Sequence, residues 1–186
     1  MKIVKFLFLI FILLQTPIKV NSSENLKTSL EEGKKLIFIR HAYAPGSGDP
    51  SNFNIKNCAT QRNLNQRGRD QAQKIKFFFK TSNVQVDHVV SSEWCRCKET
   101  ASIVFADNYK TKSFLNSFYE ERFSKNKDRQ IMELKEYIKK WKGKKNLVLI
   151  THYVVISEML NISTTSGEIV ISDKNYNVIE RLKISY

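Results

Sequence analysis

The segment KLIFIRHAYAPGSGDP, residues 35–50, decides the architecture. Leu36, Ile37, Phe38 and Ile39 form an unbroken apolar run, which reads as a strand covered on both faces. The run stops at Arg40-His41, and a loop carrying Pro45, Gly46, Gly48 and Pro50 leaves at once. Strands that are apolar throughout, rather than at every second residue, belong to parallel sheets with helices on both sides. A cation and an imidazole at the end of such a strand stand where open α/β sheets bind ligands, beyond the carboxyl ends of the strands.

The pattern recurs along the chain. VDHVVSS reads as a second strand, Val86 to Ser91, followed by a helix, CRCKETASIVF. NLVLITH reads as a third buried strand, followed by a short helix, VVISEML. NQRGRDQAQKIKFFFK is a helix with Asn65 as its cap and Ala72, Ile75 and Phe79 on one face. DRQIMELKEYIKKW places Ile131, Leu134, Tyr137, Ile138 and Trp141 on one face of another. KSFLNSF, Lys112 to Phe118, reads as a further strand, and GEIVISD with YNVIERLKIS as a terminal hairpin turning near Asp173 to Asn177. Strands alternating with helices predict a single α/β domain with a mostly parallel central sheet flanked by helices. Three strand ends then carry chemistry: Arg40 and His41; Ser91 and Ser92, with Arg96 opening the next helix; Thr151 and His152. The third histidine, His88, lies inside a strand and reads as structural.

The chain has 186 residues, 41% of them hydrophobic and 11% aromatic, enough for one ordinary core. Its first residues stand apart. Lys2 and Lys5 precede the uncharged FLFLIFILL, Phe6 to Leu14, and QTPIKVNSSE follows. That is the order of a secretory signal peptide, and the apolar run is too short to span a bilayer. Residues 1–22 are therefore expected to be a signal peptide and residues 23–186 the folded domain. The protein is expected in the periplasm or secreted, with membrane contact only through an uncleaved signal.

Export bears on the cysteines. Cys58, Cys95 and Cys97 imply one disulfide and one free thiol in an oxidising compartment. Side chains two apart on a helix diverge, so Cys58 pairs with Cys95 or with Cys97. Cys-x-Cys with no further Cys or nearby His is a poor zinc site, and neither metal nor cofactor is expected. The net charge of +13 comes from scattered lysines in a chain rich in Lys, Asn, Ile and Phe together, the bias of an AT-rich genome. No nucleic-acid-binding motif accompanies it, so no nucleic-acid partner is expected, whereas an anionic substrate fits.

Arginine beside histidine suits phosphate. A guanidinium binds phosphoryl oxygens two at a time, and imidazole is a nucleophile toward phosphorus. APGSGDP has glycines but lacks the Gly-Lys-Ser/Thr ending of a phosphate-binding Walker loop. The loop of residues 42–64 exceeds ordinary connections, as functional loops do. It leaves directly from His41, so Arg62 is a candidate substrate-binding cation.

IFIRHAYAPG, LNQRGRDQAQKI, VVSSEWCRCKETA and LITHYVVIS stand in the order and spacing of the histidine phosphatase superfamily, whose fold is phosphoglycerate-mutase-like. From about Leu36 to Ser157 the chain resembles a short, exported, bacterial-type member. The resemblance implies that His41 is the nucleophile and forms a phosphohistidine, that Arg40 and Arg96 clamp the phosphoryl group, and that His152 hydrogen-bonds it. A carboxylic acid for the leaving group falls near SFYEERFSK, as Glu120 or Glu121, although that stretch does not match the usual acid motif. Ala42 stands where the family often has Gly, and Tyr153 where some subfamilies have Asp. The implied activity is metal-independent hydrolysis of a phosphomonoester, small or envelope-associated, by an exported enzyme. A phosphohistidine phosphatase and a non-catalytic phosphate-binding relative are the alternatives. Cys58 joined to Cys95 or Cys97 would pin the long loop beside Arg96.

Overall fold

The computed structural model describes residues 28–186. The expected signal peptide, residues 1–22, lies outside them. Apolar runs set four strands, β1 (Leu36–Arg40), β2 (Val86–Ser91), β4 (Asn146–Thr151) and β5 (Ile169–Ser172), and the terminal hairpin adds the mostly exposed β6 (Val178–Leu182). With the two-residue β3 (Lys110–Thr111) they form one sheet, in the order β3-β2-β4-β1-β5-β6. β1 pairs in parallel with β4, and β2 in parallel with β4 and β3. β5 runs antiparallel to β1 and β6 antiparallel to β5, which is the terminal hairpin.

The unbroken apolar runs arise because both faces of the sheet are covered. Ile37, Ile39, Val148 and Ile150 point into one core cluster, and Leu36, Phe38, Leu147 and Leu149 into the other. Helices α1 (Gln66–Thr81) and α2 (Cys95–Phe105) cover the first face through Ala72, Ile75, Phe79, Ala101 and Val104. After the short α3 (Glu121–Ser124), helices α4 (Lys127–Lys140) and α5 (Tyr153–Leu160) cover the second through Ile131, Leu134, Ile138 and Ile156. Each such fully buried aliphatic side chain stabilises the fold by roughly 2 kcal/mol. Asn65 caps α1 as expected, accepting from Gly68 N at 3.0 Å. Gly68 is needed for packing: a Cβ there would collide with the Tyr43 carbonyl of the loop after β1.

One element differs from expectation. Lys112 to Phe118 is not a strand; β3 ends at Thr111 and a 3-10 turn follows at Ser113–Leu115. The backbone closes i to i+3 hydrogen bonds there, Leu115 N donating to Lys112 O and Asn116 N to Ser113 O, and Phe114 and Leu115 are both buried. Side chains satisfy the backbone instead of a ladder. Gln130 Nε2 donates to Ser113 O and Asn116 O, both at 2.9 Å, and Thr151 Oγ1 donates to Leu115 O at 2.6 Å.

Candidate active site

The sheet register brings the chemistry to one level. Arg40 lies opposite Thr151 and Ser91 opposite Ile150. One residue further, His41 N donates to Thr151 O and Ser92 N to Ile150 O, each at 2.9 Å. His41 and His152 therefore leave neighbouring strand ends side by side, with ring centroids 5.4 Å apart and planes at 66°. Helices α2 and α5 begin at this edge, so their N-terminal partial positive charges add to it.

His41 is 2% exposed. Its Nδ1 lies 2.8 Å from the Ala42 carbonyl, which can only accept, so Nδ1 carries the proton and Nε2 presents its lone pair. Alanine at position 42 thus keeps the orienting carbonyl. Burial first, then the charge of Arg96, holds the His41 pKa well below the usual histidine range, so the ring is neutral. His152 is held low for the same two reasons. Its Nε2 is 3.0 Å from Ser92 Oγ, which is 3.0 Å from Asn116 Oδ1, while Nδ1 faces Arg96 Nη2 at 3.4 Å.

Arg96, 3% exposed, is the hub. Its Nε donates to His41 Nε2 at 3.2 Å, and Nη1 reaches Asp49 Oδ1 at 2.8 Å and Oδ2 at 3.1 Å. Arg40 Nη1 is held by the Thr164 carbonyl, its guanidinium lies 5.2 Å from the Tyr153 ring centre, and its buried Nε has no hydrogen-bond partner. Arg62 also reaches the pocket, braced by Gly48 O at 2.8 Å and Ala44 O. Burial and Arg96 lower its pKa to about 10, which leaves it charged at neutral pH.

These groups line a small cavity of about 110 Å³ with Ser117, Tyr119 and Phe123 at its rim. A drug-sized ligand needs about 300 Å³ or more, so the cavity suits a phosphoryl-sized anion. The expected Arg40, His41, Arg62, Arg96 and His152 all line it. Of the two expected acids only Glu120 does; Glu121 opens α3 and is exposed to solvent. Glu120 is not a free acid, because Oε1 accepts from Asp49 N at 2.6 Å and the carboxylate pairs with Arg122. Cys58 is bonded to Cys95, with Cα atoms 5.7 Å apart, and Cys97 is the buried free thiol. Burial raises that thiol to about 12, so it stays protonated. His88 is exposed on β2, away from the cavity. Among the described residues no three His, Cys, Asp or Glu are grouped to hold a metal ion.

Asp49 and Asn116, which accepts from Ser92 Oγ, were not anticipated. The only sequence signal for Asp49 is an acid among the glycines of the loop leaving His41; its partner, Arg96, is 47 residues away.

The family profile of the histidine phosphatase superfamily (branch 1) matches residues 36–147. The chain belongs to the histidine phosphatase superfamily. Solved structures share the fold. The protein histidine phosphatase SixA complexed with tungstate is 15% identical, with a TM-score of 0.57 over 81% of this chain and 96% of that one. Phosphoglycerate mutase from Thermus thermophilus is 16% identical, with a TM-score of 0.57 over 81% and 99%. A mycobacterial glucosyl-3-phosphoglycerate phosphatase in complex with VO3 is 14% identical, with a TM-score of 0.55 over 75% and 92%. No curated protein sequence matches significantly. The single α/β domain expected from the strand pattern, and the phosphoglycerate-mutase-like sheet implied by the resemblance, are the fold of this superfamily.

Proposed function

We propose that the protein is an exported phosphatase working through a phosphohistidine on His41. The observation that carries this reading is the buried, neutral His41, whose Nε2 lone pair faces the Arg96 guanidinium inside an anion-sized pocket. In the first step Nε2 attacks phosphorus in line, the N–P bond forms and the P–O bond to the leaving group breaks. Arg40, Arg62 and Arg96 balance the charge spread over the equatorial oxygens, with His152 beside them. Water then cleaves the N–P bond, releasing phosphate and neutral His41. SixA and the mycobacterial phosphatase were solved with tungstate and VO3, oxyanions of the kind this pocket suits.

The tie between Glu120 and both Asp49 N and Arg122 favours substrates whose leaving group departs without much help from an acid. Aryl phosphates and phosphoramidates such as phosphohistidine are of that kind, and small or envelope-associated phosphoesters of sugar alcohols are slower. The reaction runs without added metal. The N-terminal segment and the Cys58–Cys95 bond favour a periplasmic or secreted enzyme.

The test is phosphate release from para-nitrophenyl phosphate by residues 23–186, without metal, beside His41→Ala. Turnover that disappears in the variant, with an acid-labile phosphoprotein trapped on quenching, supports the reading. A folded protein that binds vanadate but never releases phosphate supports a binding-only relative instead. Glu120→Gln is expected to slow an alkyl phosphate more than the aryl one, and Glu121→Gln neither.

A further inference from the structure

Arg96 has three hydrogen-bonding directions, and the structure divides them. The edge formed by Nε and Nη2 faces the two histidines, His41 Nε2 at 3.2 Å and His152 Nδ1 at 3.4 Å. The remaining corner, Nη1, points away from them to Asp49 and, at 3.3 Å, to the Arg62 carbonyl. Asp49 cannot swing aside. Its carboxylate is 3% exposed and also accepts from Arg62 N at 2.9 Å and Trp94 Nε1 at 3.0 Å. The loop that carries it is tied to the start of α2 twice more, by the Cys58–Cys95 bond and by Cys95 N donating to Gln61 Oε1 at 2.9 Å. Five attachments, from Asp49 to Trp94 and to Arg96, from the Arg62 carbonyl to Arg96, and from Cys58 and Gln61 to Cys95, therefore converge on residues 94–96.

A carboxylate in an anion pocket opposes the ligand's charge. If Asp49 served affinity it would be the wrong residue type, because removing it leaves more positive charge for the phosphoryl group. Its value is geometric. A guanidinium held at one corner by a fixed carboxylate can turn only one edge toward the reacting atoms.

We propose that Asp49 is the positioning residue of Arg96: by holding Nη1 it turns the Nε–Nη2 edge onto the phosphoryl group at His41, where the equatorial oxygens gather charge in the transition state. The inference rests on the phosphatase reading above. It separates two quantities that a structural lesion lowers together. Ground-state phosphate binding does not need Asp49, whereas turnover does.

Asp49→Asn keeps the shape and removes the charge. Its kcat on para-nitrophenyl phosphate falls about 100-fold, the scale of a misplaced catalytic group, while the inhibition constant of inorganic phosphate stays the same or improves. In an Arg96→Gln background the same substitution costs nothing further, because the effect passes through Arg96. Trp94→Phe, which removes only the indole donor to Asp49 Oδ2 and leaves both Arg96 contacts, gives a smaller loss with the same split and serves if Asp49→Asn does not fold. A kcat within threefold of wild type for Asp49→Asn overturns the proposal. So does an equal loss of kcat and phosphate affinity, or a further loss in the Arg96→Gln background. An inactive wild type overturns the phosphatase reading and this inference with it; an active wild type beside an unaffected Asp49→Asn overturns this inference alone.

Discussion

The pocket has two halves that are built differently. One half, His41, Arg40 and His152, sits on strand ends, and its spacing follows from the pairing of β1 with β4. The other half, Asp49, Arg62 and Glu120, sits on loops, and its geometry depends on side chains gripping backbone: Arg62 on Gly48 and Ala44, Arg122 on Ser51, Asp49 and Pro50, Glu120 on Asp49 N. Arg96 joins the halves from the first turn of α2. The side chains to which the proposed bond making falls are held by the sheet, whose register cannot slip without sending every side chain of the strand to the opposite core cluster. Atoms that shape the pocket are held by a loop, which would be mobile without its disulfide and buried ion pair.

The comparison is broken hardest on the strand side. His152→Asn leaves β4 and α5 intact but removes the imidazole beside His41. Turnover is expected to fall about 10²- to 10³-fold, the loss typical of one transition-state hydrogen-bond donor, with little change in melting temperature. Steady-state kinetics beside a thermal melt check this. If Tm drops as far as activity, His152 is a packing residue.

On the loop side the larger effect should be on stability. Removing the Cys58–Cys95 bond, which spans 37 residues, with Cys58→Ser/Cys95→Ser costs about 4 kcal/mol by loop entropy, or about 10 °C in Tm. Activity at a temperature where the variant is folded should fall less than in His152→Asn. An unchanged melting curve would mean that Asp49, Gln61 and Arg122 hold the loop without the bond.

The smallest effect is graded and comes with pH. His41 and His152 are kept neutral in the fold, below their ordinary value of 6.5. Above about pH 6.5 both folded and unfolded chains are neutral at these sites and nothing changes. As pH falls below 6.5 the unfolded chain takes up protons that the native state refuses, so stability declines by up to about 1.4 kcal/mol per pH unit for each histidine. Asp49, Glu168 and Asp173 have lowered pKa values, so their contribution is lost only below about 4.5, at lower pH than the histidine window. Urea midpoints at about pH 7.5 and about pH 5.5 measure it. The dependence should shrink in His152→Asn, and a flat profile would place the rings in a wetter site than this structure shows.

The sequence by itself determined the strand-borne half. Apolar runs ending in Arg40-His41, Ser91-Ser92 and Thr151-His152 carry both their burial and their common level, because parallel strands joined by helices end on the same edge. The choice of Cys95 over Cys97, the placement of Glu120 rather than Glu121 at the cavity, and the turn in place of a strand at Ser113–Leu115 were decided by the tertiary structure. So was Asp49. The first three turn on which way a side chain faces when neighbours lie one or two residues apart, which periodicity resolves only inside regular elements. Asp49 turns on a contact between a loop without period and a helix 47 residues away, and that contact exists only once the sheet has brought both to the same edge.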